Sequence, residues 1–238
     1  MLKTICNYPY QLYRPVSHCI FDLDGTILDT EGIYEAVYGD MLKEYGERLT
    51  LDLRKKISGT TNDETWRITT RETTIKRSWK FLSKEYEKRS YERLGNCQLL
   101  PGIKRLLLHL HKHQIPMAIA SSTTKNLYER KTNVHQDLFK VFHHAICGGT
   151  DLPVRGSKPH PDVYIVCAER FQEKPRPANC LAFEDVPNGI HSAVAAGMQC
   201  VAIYTPDIPR EDYNCATLVI NSWREFQPQH FGLPPFNT

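Results

Sequence analysis

Phe21-Asp22-Leu23-Asp24-Gly25-Thr26, closing the apolar run that starts at His18, decides how the rest of this sequence is read. An apolar strand ends in two carboxylates one residue apart, and a glycine then lets the chain turn. In an open parallel sheet, ligands gather at the carboxyl ends of the strands. With Asp22 at that end, its carboxylate points into a site, and the loop from Asp24 brings the second carboxylate back toward the same place. Two carboxylates there suit one metal ion and two roles in one reaction, nucleophile and general acid/base. The same residues also read as a strand end followed by a common Asp-Gly turn.

Three further stretches bear on that choice. Ile119-Ala120-Ser121-Ser122-Thr123 puts small hydroxyl residues directly after an apolar strand, where serine hydroxyls and loop amides suit a phosphate oxygen. Such residues equally cap helices. Gly156-Ser157-Lys158-Pro159 holds a lysine on a constrained backbone, able to aim its ammonium at a fixed anion; a solvated loop lysine has the same sequence. Leu181-Ala182-Phe183-Glu184-Asp185 is a second strand ending in adjacent carboxylates, ahead of a helix start at Val186-Pro187-Asn188-Gly189. Glu184 and Asp185 complete, with Asp22, the acidic side of a magnesium site, since Mg2+ takes hard oxygen ligands. Read alone, the pair also suits a helix N-terminus. What weighs against the bland readings is that all four occur in order, each after a predicted strand or on the next loop.

Between these stretches, apolar runs with β-branched residues alternate with helical patterns, which predicts an α/β fold with a Rossmann-like parallel sheet. Strands are expected at residues 18–22, 116–120, 144–147, 180–183, 200–204 and 217–220. Helices are expected to begin near Gly102, Lys125, Asp162, Asn188 and Ser222. Residues 31–98 hold no convincing strand and read as helices, 32–45 and 79–93 among them. That block is expected to be an inserted α-helical cap domain, with residues 1–30 and 99–238 forming the catalytic core. Pro101-Gly102 punctuates the re-entry to the sheet pattern. Residues 226–238 are proline-rich and expected to lie on the core as an irregular tail.

Composition narrows the class. The 238 residues carry a net charge of +3, 41% apolar and 24% charged residues, which suits a soluble globular protein and gives no footprint for nucleic acid. Eight cysteines show no CxxC spacing; Cys19, Cys180 and Cys200 lie in apolar runs where a thiol packs as a small hydrophobe. A reducing, cytoplasmic location is expected. No apolar stretch approaches the length of a bilayer span, and the first residues lack the core of a signal peptide. His109, His111 and His113 fall at a polar helix end away from every motif and read as surface. His143-His144 reads as a strand start, and His160 as a turn residue between prolines. The basic excess over residues 62–94, nine Lys/Arg against six Asp/Glu, reads as a solvated helical face.

The order and identity of the four motifs resemble the haloacid dehalogenase superfamily, from about Val16 to the C-terminus. That resemblance implies that Asp22 attacks phosphorus to form an aspartyl-phosphate, and that Asp24 protonates the leaving oxygen and then activates water. Ser121, Ser122 and Lys158 would hold the phosphoryl group. Asp22, Glu184, Asp185 and the Asp24 backbone carbonyl would hold Mg2+. A dehalogenase has no need of Asp24 or of the acidic pair. The related phosphoglucomutases carry a histidine where Tyr34 stands here, which favours hydrolysis over phosphoryl shuttling. Phe183-Glu184-Asp185, Pro187-Asn188-Gly189, Asn221-Ser222, Phe226-Gln227-Pro228 and Phe231-Gly232-Leu233-Pro234 resemble the pseudouridine-5′-phosphatase family, implying nucleotide metabolism and a small phosphorylated metabolite as partner. A sugar or polyol phosphate is the alternative substrate. In that family's cap, Gly59-Thr60-Thr61-Asn62 would meet the substrate, with Thr60 and Asn62 as contacts; Trp66 reads as core unless turned inward. A monomer without membrane or nucleic-acid partners is expected.

Overall fold

The structure is a computed structural model and describes residues 12–57, 60 and 62–236. Along the chain run strands β1 (His18–Phe21) and β2 (Leu28–Asp29), then helices α1 (Glu31–Glu44), α2 (Leu51–Ile57), α3 (Asn62–Glu72) and α4 (Trp79–Arg93). There follow β3 (Gln98–Leu99), α5 (Ile103–Lys112), β4 (Met117–Ser121), α6 (Lys125–Thr132), α7 (Gln136–Phe139) and β5 (His144–Cys147). The chain then forms α8 (Asp162–Arg170), β6 (Cys180–Glu184), α9 (Pro187–Ala195), β7 (Gln199–Ile203) and β8 (Leu218–Ile220). Two compact units result, Met1–Asp29 with Gln98–Thr238, and Thr30–Cys97.

In the first unit six parallel strands stand in the order β5-β4-β1-β6-β7-β8. Counted within the sheet this is 3-2-1-4-5-6, the doubly wound arrangement whose order reverses between β1 and β6. Every residue of β1, β4 and β6 is buried, as expected of strands covered by helices on both faces. Phe21 is level with Ile119 and Phe183, so Asp22, Ala120 and Glu184 come next at one height. Ser121 and Asp185 lie one residue further. The sheet therefore ends in a row of polar groups at its switch point.

One sheet face packs Ile20, Ala118, Ala120, Ala182 and Cys200 against Tyr164, Cys167 and Ala168 of α8 and Ile190 and Ala193 of α9. Small side chains on the strands let those helices approach closely. The aromatic side chains Phe21 and Phe183 stack at 4.3 Å. Phe183 also packs edge-on against Trp223 at 5.5 Å and Phe226 at 5.3 Å. Phe226, Phe231 and Leu233 are buried, so the tail is part of the core. Among the described residues its one regular piece is a single 3-10 turn, Pro228–Phe231.

Two expectations need correcting. No helix begins at Ser222: residues 221–225 form a turn in which Asn221 N–H donates to the Glu225 carboxylate. Trp223 is drawn inward there, and its Nε1–H donates to Thr26 O at 2.8 Å. The antiparallel ribbon of β2 and β3 was not expected, because two-residue strands carry no readable period. The seven cysteines among the described residues are free, and six of them are buried.

The helical unit closes on a core of its own. Val37, Tyr38, Met41 and Leu42 line one stripe of α1 at helical spacing, and Leu53, Trp66, Ile68 and Leu82 pack with them. Trp66 is fully buried, its ring 5.0 Å from that of Tyr38. The basic face is paired with acids of the same unit: Arg93 bonds Asp40 at 2.8 Å, and Arg89 bonds Glu85 at 2.8 Å as well as Glu44. Exposed pairs of this kind contribute little to stability. Among the described residues no helix is long and apolar enough to cross a membrane.

Trp223 links the tail to the loop after β1 by a ring contact and a hydrogen bond. Trp223→Ala should lower unfolding stability by about 3–5 kcal/mol, and Trp223→Phe, which keeps a ring, by about 1 kcal/mol. Equilibrium urea denaturation measures both; a neutral Trp223→Ala would show that the tail is not part of the cooperative core.

Candidate active site

Asp22 follows the last residue of β1, and its amide donates to Phe183 O at 2.9 Å, so the first residue beyond the strand is still held by β6. Gly25 adopts φ +74°, and a Cβ built there would lie 1.9 Å from Asp185 Oδ2. Only glycine satisfies both the left-handed turn and the approach of that carboxylate. Thr26 Oγ1 donates to Asp185 Oδ1 at 3.4 Å from the same turn. The loop after β1 is thus shaped around a residue supplied by the loop after β6.

Lys158 reaches this row from the loop ahead of α8. Its Nζ donates to Asp22 Oδ1 at 2.5 Å, Glu184 Oε1 at 2.6 Å and Ala120 O at 3.0 Å. Three donors meet three acceptors, which is the full capacity of an ammonium group. Tyr164, one turn into α8, donates its hydroxyl proton to the same Glu184 Oε1 at 2.5 Å and sets its ring 5.2 Å from Nζ. Behind Glu184, a Cβ at Gly189 would fall 2.0 Å from the carboxylate. The glycine in the first turn of α9 is therefore the space in which Glu184 sits.

Burial raises the Asp22 pKa above the usual carboxylate range; Lys158 opposes that rise, while Glu184 and Asp24 add to it. For Lys158, burial acts to lower the value, but the attraction of Asp22 and Glu184 prevails and raises it. The two shifts thus differ in origin: burial leads at Asp22, whereas at Lys158 the paired carboxylates outweigh burial. Asp22, Glu184 and Asp185, all buried, offer oxygens within 4.8 Å of one another. Hard oxygen donors and surplus buried negative charge fit a divalent cation.

Ser121, at the end of β4, is 1% exposed, and its Oγ accepts the Thr123 amide at 3.2 Å. A hydroxyl used as an acceptor still has its own proton to donate. Ser122 is exposed on the same loop, which Thr124 closes as the N-cap of α6. The Asp24 carboxylate stands outside the three-oxygen cluster and accepts from Lys131 Nζ at 2.7 Å.

The structure therefore brings together Asp22, Lys158, Glu184 and Asp185, with Ser121 level with Asp185 in the sheet and Asp24 on the same turn as Asp22. Thr60 and Asn62 belong to the helical unit; Gly59 and Thr61 lie outside the described residues. Thr60 Oγ1 donates to Ile57 O at 2.8 Å, and Asn62 Nδ2 donates to Ser83 Oγ at 2.8 Å and Glu87 Oε1 at 3.1 Å. His109 Nε2–H donates to Pro234 O at 2.8 Å and anchors the tail. Sequence reasoning missed Tyr164, Lys131 and the packing need behind Gly189. Their signal was thin, because each sits in a helix where packing or solvation explains the residue equally well.

The haloacid dehalogenase-like hydrolase family model matches residues 19–203. A probable pseudouridine-5′-phosphatase of Drosophila melanogaster is 37% identical over 95% of this chain and 98% of its own length. A (DL)-glycerol-3-phosphatase of Arabidopsis thaliana is 36% identical over 93% of each chain. Among solved structures, a HAD family hydrolase of Deinococcus radiodurans with bound phosphate and sodium superposes with a TM-score of 0.79 at 25% identity, over 94% of this chain and 100% of that one.

Gly189 gives a direct test of this packing. Gly189→Ala should push the Glu184 carboxylate off its partners and cost about 1–3 kcal/mol. Gly39→Ala, inside α1 with nothing within 4 Å of its Cβ, should instead stabilise by about 0.5–1 kcal/mol. Urea denaturation of the two variants side by side checks the contrast, and equal effects would refute it.

Proposed function

This chain belongs to the haloacid dehalogenase-like hydrolases and is a phosphoric monoester hydrolase, and we propose that it works through an aspartyl-phosphate formed on Asp22. The observation that carries this mechanism is Asp22 itself, buried at the carboxyl end of the central strand with its Oδ1 2.5 Å from Lys158 Nζ. The Asp22 carboxylate oxygen attacks phosphorus as the ester P–O bond breaks, and Asp24 gives its proton to the departing oxygen. Asp24 then takes a proton from a water whose oxygen attacks the phosphoryl group, releasing phosphate and restoring the Asp22 carboxylate. Lys158, the Ser121 hydroxyl and the loop at Ser122 hold the phosphoryl oxygens. Hydrolysis of phosphate monoesters is among the slowest uncatalysed reactions, needing up to ~10²¹-fold acceleration, and a carboxylate nucleophile also meets repulsion from the phosphate dianion.

Mg2+ is the proposed cofactor, held by the Asp22, Glu184 and Asp185 carboxylates and the Asp24 backbone carbonyl; when bound it cancels that repulsion and stabilises transferring oxygens. The chain's own charge balance supports this assignment, since one lysine faces three buried carboxylates. The core motif residues address phosphate and metal only. Selection among esters is therefore assigned to the helical unit, with Thr60 and Asn62 as proposed contacts; Asn62 Oδ1 is buried without a hydrogen-bond partner.

Pseudouridine 5′-phosphate is the proposed substrate, in the cytoplasm and by a monomeric enzyme. Its support is the extent of likeness to the fly relative and the tail, which no catalytic constraint explains. A polyol ester such as glycerol phosphate is the second reading, favoured by a relative of nearly equal identity. A site built to hydrogen-bond a base edge rejects an analogue lacking those groups by about 10⁴–10⁵.

Three measurements check these statements. Asp22→Asn should lose activity by about a thousandfold or more while remaining folded; appreciable turnover would end the covalent mechanism. Chelation should abolish phosphate release and Mg2+ restore it, with Asp185→Ala weakening the rescue; an unchanged rate after chelation refutes the metal assignment. kcat/KM should be highest for pseudouridine 5′-phosphate among that ester, uridine 5′-phosphate, glycerol 3-phosphate and a hexose phosphate. A win by either of the last two overturns the nucleotide assignment.

A further inference from the structure

Lys131 lies in the last turn of α6 with 2% of its surface exposed. A helical lysine ordinarily carries its ammonium out to water. Here the side chain turns inward, and Nζ donates to Asp24 Oδ1 at 2.7 Å. Burying an ammonium is costly unless a partner receives it, so its direction is a specific feature of this core. α6 begins where the Ser121–Thr124 loop ends, capped by Thr124 Oγ1 accepting the Leu127 amide. One short helix is thus tied to the phosphate loop at its start and to Asp24 at its end. The Asp24 side chain stays 28% exposed, so its carboxylate is oriented yet accessible.

We propose that Lys131 is a positioning residue for the general acid/base: by holding Oδ1 of Asp24 it fixes the rotation of the carboxylate that serves the leaving oxygen. This rests on the reading of Asp24 given above. The proton that reaches the leaving group comes from Asp24, as the P–O bond breaks and its electron pair passes to the ester oxygen. A carboxylate turned away from that oxygen delivers its proton late or not at all, and misplacement on the ångström scale is enough to slow a reaction about 10²-fold.

The consequence is a dependence on the leaving group. An alkoxide must be protonated as it departs, whereas p-nitrophenolate departs well without help. kcat/KM reports the steps through phosphoryl transfer to Asp22. Lys131→Met should lower kcat/KM for glycerol 3-phosphate about 10- to 100-fold and for p-nitrophenyl phosphate less than about threefold. Lys131→Arg should bring the ratio of the two back to within about threefold of the native value. Should Lys131→Met fail to fold by circular dichroism, Lys131→Gln takes its place in the same ratio measurement. An equal loss on both esters would assign Lys131 a structural role only, and an unshifted ratio would likewise overturn the proposal. Asp24→Asn separates the two levels of inference. If it leaves the ratio unshifted, the acid/base reading itself fails; if it shifts the ratio and the Lys131 variants do not, only the positioning role fails.

Discussion

The three-way hydrogen bonding of the Lys158 ammonium is the constraint around which the site is arranged. A buried cation has to be met on every N–H, and here the three acceptors come from β1, β4 and β6: Asp22, Ala120 O and Glu184. The bonds require those strand ends to lie level, which the parallel register from Phe21 to Ile119 and Phe183 provides. They also require space for Glu184 beside α9, which Gly189 leaves. Removing the lysine would leave carboxylates buried together without their counter-charge, a loss of the kind that costs about 3–5 kcal/mol.

Charge and packing are joined at the same residues. Tyr164 belongs by its ring to the cluster beneath the sheet, and by its hydroxyl to the Glu184 network. Tyr213, buried on the same side, donates its hydroxyl proton to Asp185 O at 2.8 Å. The polar row thus stands on a floor of aromatic side chains whose polar tips point up into it. Amphipathic aromatic residues suit such a boundary between a dry core and a charged site.

How much of this could be read beforehand differs by element. The six strands of the sheet were legible because each is a short apolar run bounded by turn residues, and the α/β class follows from their alternation with helices. The β2–β3 ribbon was not legible, since two residues per strand leave no pattern. Ser222 looked like a helix start because a serine precedes Trp-Arg-Glu, but burial of Trp223 against Phe183 overrides that local preference. In the site, strand-end carboxylates announce themselves by sitting where an apolar run should give way to a plain turn. Lys131 does not, because the inward turn of a lysine in Tyr128-Glu129-Arg130-Lys131 is a tertiary fact with no local trace. Thr60 and Asn62 carried a pattern, yet the side-chain bonds that the structure shows for them stay within the helical unit.

The hydrogen bond from Trp223 to the carbonyl of Thr26 spans 197 positions of sequence, and β1 pairs with β6 across 162, from His18 to Cys180. During synthesis at about 5–20 residues per second, the first strand therefore leaves the ribosome well before the strand and the indole that complete its surroundings. For that interval β1 has only β4 to pair with, and the strand that will be central stands at an edge of the sheet. Closure of the site is a late event in the life of each molecule, set by sequence separation. A ribosome stalled before Trp223 would hold a chain that has every motif residue and lacks the tail contacts beneath them.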